Sequence, residues 1–83
     1  MHELSIAMSV LDAVRTEVGM RPGYRATTVG LRIGALAGLD AESLRFGFEC
    51  LVKDSDLEPL RLEVAQADGE ELDIAWIEME DGQ

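Results

Sequence analysis

The sequence predicts an α+β fold in which two helices pack on a small three-stranded mixed sheet, in the order helix, strand, helix, strand, strand. Three observations carry this expectation. Apolar residues recur at three- and four-residue steps in two segments. Apolar and polar residues alternate in three others. Gly, Pro and Asp-Gly punctuation separates the segments. With 83 residues, one domain spanning residues 1–83 is the ceiling. A chain this short buries only about 60% of its unfolded surface, so a deep enzyme pocket is not expected.

The first helix is read from Glu3 to Val18. Leu4, Ala7, Met8, Leu11, Val14 and Val18 share one face, widened by Ile6 and Val10. Glu3 stands in the first turn, where the helix dipole favours an acid. Gly19 stops the helix and Pro22-Gly23 makes a loop. From Thr27 to Ile33 the chain alternates: Val29, Leu31 and Ile33 point one way, Thr28, Gly30 and Arg32 the other.

Asp40 is an apt N-cap for the second helix, with Glu42 behind it. Leu44, Phe48, Leu51 and Val52 form its core face, and Gly47 is read as allowing a close approach. The helix fades at Lys53-Asp54. Leu60, Leu62 and Val64 alternate as a second strand, and Leu72, Ile74 and Trp76 as a third. Between them Asp68-Gly69 reads as a tight hairpin turn. Trp76 is read as a core residue, with an interface anchor as the alternative. The apolar phase then shifts to Ile77 and Met79, which predicts a bulge or twist. The end, Glu80–Gln83, is read as frayed. The strand order is left open.

Apolar residues make up 47% of the chain and charged residues 29%, the balance of a globular protein. No apolar run approaches a membrane span, and no signal-peptide pattern opens the chain, so the expectation is a cytoplasmic protein. The formal charge of −10 is unevenly placed: residues 1–53 hold six acids and six bases, whereas residues 54–83 hold eleven acids and Arg61. Nucleic acid is therefore excluded as a partner. The acidic third suits solubility, or a basic protein partner. Cys50 is the single cysteine and His2 the single histidine. No closed tetrahedral zinc site can be built from that set in one chain, so no zinc is expected. Cys50 is read as buried and inert.

The opening Met1-His2-Glu3 carries the most chemistry. A free amine, backbone amides and an imidazole lie within three residues. They can close chelate rings on one ion, and nitrogen-rich planar donor sets suit Ni(II) or Cu(II). Protons compete for the amine and imidazole, so affinity falls with acid. The plain alternative is that His2 is only the second residue of a free end. Gly30, Gly34 and Gly38 lack the Lys-Ser/Thr ending of a phosphate loop, so nucleotide chemistry would belong to a partner. No catalytic constellation is present, and no enzyme is expected.

Met1-His2-Glu3-Leu4-Ser5-Ile6-Ala7 resembles the opening of the HypA family of nickel chaperones. Leu31-Arg32-Ile33-Gly34 through Gly38, Glu42–Phe46 with Phe48-Glu49, and Gly69–Glu80 are similar to later family segments in the same order. The resemblance implies that Met1, His2 and Glu3 bind Ni(II). It implies maturation of a nickel enzyme, a [NiFe] hydrogenase before urease. The partners implied are a nickel-handling GTPase and the large subunit of the nickel enzyme; a homodimer is compatible with it. The first helix and the loop Gly34–Asp40, where the resemblance is densest, are the expected docking surface. The family inserts a zinc domain with two Cys-x-x-Cys pairs where this chain has only Val64–Gly69. Ala35 stands where an acid is common, and Met8 where Gln is. That missing domain sustains a second reading: an adaptor, or a subunit of a larger complex, that keeps the fold without moving metal.

Overall fold

A computed structural model describes residues 2–82. The elements are α1 (Glu3–Gly19), β1 (Tyr24–Gly34), α2 (Ala41–Val52), β2 (Arg61–Ala67) and β3 (Leu72–Asp81), in the expected order. The sheet is mixed and runs β2-β1-β3. β1 lies in the centre, parallel to β2 and antiparallel to β3. A parallel pair needs a long crossover, and α2 supplies it.

One face of the sheet carries the core. Val29, Leu31 and Ile33 of β1 and Leu62 of β2 are buried together with Ala7, Val10, Leu11 and Val14 of α1 and Leu44, Phe48 and Val52 of α2. The buried stripe of α1 is rotated from the one its apolar residues suggested. Leu4 and Met8 are more than half exposed, while Glu3 is buried. The periodicity gave an acid no place in the stripe, but the Glu3 carboxylate has a partner inside. Gly47 corrects its expectation too. A Cβ there would lie 3.5 Å from the Leu4 Cδ1, an ordinary contact.

The second correction concerns the link between β2 and β3. It is not a hairpin, because β1 lies between the two strands. Residues 68–71 instead cross the carboxyl end of β1. The Gly34 amide donates to the Glu71 carbonyl (2.8 Å), Ala35 to Ala67 (2.9 Å) and Leu36 to Gly69 (2.8 Å). A Cβ on Gly34 would overlap the Gly69 carbonyl and reach within 2.8 Å of the Glu71 amide nitrogen, so only glycine passes under the crossing.

Asp-Gly is a local signal, and pairing was decided by what β3 meets along its length. Beside β1, Ile74 pairs with Leu31 and Ile77 with Val29, extending the apolar face. Asp73 receives two hydrogen bonds from Arg32, and Glu80 one from Arg25.

The predicted bulge is present, one residue earlier than the apolar phase suggested. Gly30 pairs with Trp76 and Leu31 with Ile74, so Ala75 is the extra residue. The bulge turns Trp76 to the sheet face away from the helices. There its indole covers Gly30, where a Cβ would overlap the ring. Trp76 is thus half-buried on the outer face rather than a core residue, and its buried Nε1 has no hydrogen-bond partner among the described residues. The expected frayed end is also corrected. Glu80 and Asp81 pair with Arg25 and Tyr24, and the Gly82 amide donates to the Gly23 carbonyl at 2.7 Å. Gln83 lies outside the described residues.

Candidate metal centre

Of the three residues expected to bind metal, Met1 lies outside the described residues. His2 is the N-cap of α1, and its carbonyl accepts the first helical bond from the Ile6 amide at 2.9 Å. Its side chain is exposed and makes no capping bond. The imidazole is therefore not committed to holding the helix.

Glu3 is differently placed. It is 7% exposed, and its carboxylate accepts a hydrogen bond from the Asp40 amide at 3.0 Å. That bond holds its carboxyl below the usual carboxylate range; burial opposes the shift, and the Glu3 amide adds to it. The carboxylate thus ties the first turn of α1 to the start of α2. Asp40 is in turn the N-cap of α2. Its carboxylate accepts from the Ser43 hydroxyl (3.0 Å) and from the Glu42 and Ser43 amides (3.0 and 3.5 Å). Those bonds, the Ser43 hydroxyl foremost, lower its pKa.

His2, Glu3, Asp40 and Ser43 thus form a chain of contacts across two helix starts. The capping role of Asp40 was legible from its position before an amphipathic run. Its tie to Glu3 was not, because the two are 37 residues apart. Among the described residues no cluster of three or more His, Cys, Asp or Glu side chains suits a metal ion. Cys50 is exposed on α2, not buried as expected. No helix among the described residues is long and apolar enough to cross a membrane.

An uncommitted imidazole thus stands at the start of α1, beside a residue anchored to the start of α2. The family model for hydrogenase/urease nickel incorporation metallochaperones, HypA, matches residues 1–72. A hydrogenase maturation factor HypA from Chlorobium limicola is 42% identical over 77 residues, which is 93% of this chain and 58% of that protein. Proteins of the same name from Pelodictyon phaeoclathratiforme and Xanthobacter autotrophicus are 36% and 38% identical over 69 residues. Each match covers 83% of this chain, and 59% and 61% of the relative respectively. The chain belongs to the HypA family. It spans about three-fifths of the length of these curated relatives.

Proposed function

We propose that this chain carries Ni(II) at its amino terminus and delivers it during maturation of a nickel enzyme, a [NiFe] hydrogenase in the first instance. The donors are the Met1 amine, the His2 amide and imidazole, and the Glu3 amide. The observation that carries the reading is the pairing of an uncommitted His2 ring with an anchored Glu3. Four nitrogens from consecutive residues can close a planar set only if the backbone between them holds still. The bond to Asp40 fixes the last of them. The Glu3 carboxylate is then a positioning group, and its amide must give up its contact with that carboxylate to ligate. A nickel-handling GTPase and the large subunit of the client enzyme are the partners of this reading, reached through α1 and the Gly34–Asp40 loop.

The test is a nickel titration of protein with a native, untagged amino terminus. His2→Ala, and separately one residue added before Met1, should each abolish tight binding. The circular dichroism spectrum and thermal midpoint should stay as in the parent, because the exposed His2 ring supports no packing. Elemental analysis of the same preparation should find no stoichiometric zinc. If His2→Ala binds nickel as tightly as the parent, the adaptor reading replaces this one.

A further inference from the structure

The sheet has one long edge left open. Among the described residues β3 pairs only with β1, and its other side carries no strand. The face of β3 turned toward α1 is apolar, with Leu72, Ile74, Ile77 and Met79 at the inward positions. All four are only partly covered. α1 packs on α2 and β1 and leaves a seam beside β3. At its wider end, between the stretch from Ala13 to the C-cap Met20 and Ile74–Met79, the seam is an open groove of about 1050 Å³. At its narrower end, between Ile6–Val10 and Leu72–Ile74, the space is about 380 Å³. Ile74 is shared by both, so the seam follows β3 from near the amino-terminal end of α1 to Met20. Three large exposed apolar side chains, Met20, Tyr24 and Leu72, lie along it.

The other face of β3 has a different character. Its outward positions are Asp73, Trp76, Glu78 and Glu80; Asp73 and Glu80 are ion-paired with Arg32 and Arg25 of β1, which leaves Glu78 as the uncompensated acid among them. An added strand would therefore meet apolar side chains on one side and, on the other, a net acidic row centred on Glu78. Two copies of this chain paired edge to edge would bring the Glu78 carboxylate of each toward the acidic row of the other, which disfavours a ladder. The charge of −10 on the whole chain acts in the same direction. Acidic edges protect sheets from self-association in this way, and the same acids select a partner of opposite sign.

We propose that β3 is a strand-docking edge. It takes an extended segment of a partner protein in which apolar and basic residues alternate. The segment adds a fourth strand beside β3. Its apolar side chains fill the seam under α1, its Lys or Arg side chains lie beside Glu78 and the acidic row around it, and its main chain bonds the open edge. The Ala75 bulge interrupts the ladder, so the regular stretch from Trp76 to Glu80 takes most of the main-chain bonds. This site is separate from the nickel-binding end and does not depend on the nickel reading.

The probe is a synthetic octapeptide alternating Val and Lys. Its controls are the same peptide with the amides on one edge N-methylated, and a Val-Glu counterpart. Amide spectra of the full chain should shift along residues 72–81 and 13–20, and hydrogen exchange at the β3 edge should slow. N-methylation keeps charge and apolar surface but removes the ladder, and should weaken binding at least tenfold; the Val-Glu peptide should not bind. Thr16→Trp, at an exposed helix position lining the groove, should weaken the Val-Lys peptide with no change in thermal midpoint. Equal binding of the N-methylated peptide overturns the proposal, as do shifts confined to β2. Concentration-dependent dimers that protect the same β3 amides would make the occupant a second copy, and would also overturn it. Nickel affinity, read in parallel, should not respond to Thr16→Trp.

Discussion

The segment from Gly34 to Asp40 is held at both ends, by opposite means. At Gly34 the constraint is shape. The main chain of residues 69–71 passes so close that no side chain fits beneath it. At Asp40 the constraint is a charge-assisted hydrogen bond, given by its amide to the buried Glu3 carboxylate. The first hold is indifferent to pH and metal and belongs to the fold. The second can be opened by a proton or by one substitution, and it sits beside the proposed nickel donors. One short segment thus joins a fixed crossing to a releasable latch.

Gly34→Ala should have the largest effect. Its methyl meets main chain, which cannot rotate away, so unfolding should become easier by about 3 kcal/mol in urea titration. A parental midpoint would mean that the crossing lifts freely, and the contrast between the two ends would fail. Glu3→Ala should do less to the fold and more to the site. Loss of the latch should weaken nickel binding about tenfold, as loss of a positioning partner does. Glu3→Gln keeps an acceptor oxygen and should fall between. If Glu3→Ala leaves nickel affinity untouched, the latch does not position the donors.

Acid should separate the two ends further. The folded-state pKa values of Glu3 and Asp40 both lie below their ordinary values. Their contribution to stability is therefore complete above the unfolded carboxylate pKa of about 4 and is lost as pH falls through the lower folded values. The thermal midpoint should be level above that range and decline below it. Glu3→Gln should remove part of the decline, while Gly34→Ala should leave its shape unchanged. An identical decline in Glu3→Gln would mean that other carboxylates dominate.

Gly69→Val should have the smallest effect. Gly23 and Gly38 have positive φ; Gly69 does not. A Cβ on Gly69 meets chiefly the Glu71 Oε1, at 2.9 Å, the far end of a flexible exposed side chain that accepts from the Gly69 amide. A shift within about 0.5 kcal/mol is expected, as for an ordinary surface change. A hairpin turn would have demanded more, so a loss above 1 kcal/mol would restore that assignment.

The elements and their order were legible in the sequence because they are local. Ala7, Leu11 and Val14 mark a helix by spacing alone, Asp40 marks a start, and Val29-Gly30-Leu31 alternates with a strand's period. The resemblance at Met1-His2-Glu3 was equally local, since the donors it proposes lie in three consecutive residues. The neighbours of these elements were decided only by the tertiary structure. Asp68-Gly69 proposes a turn, but β3 gained more beside β1, where Arg25 and Arg32 meet its acids and Val29 and Leu31 extend its apolar face. A polar residue can be buried when a distant amide awaits it, so Glu3 took a place in the α1 stripe that its own segment could not announce. Periodicity reports which residues share a face. What lies against that face is a contact between residues far apart in the chain, and only folding brings them together.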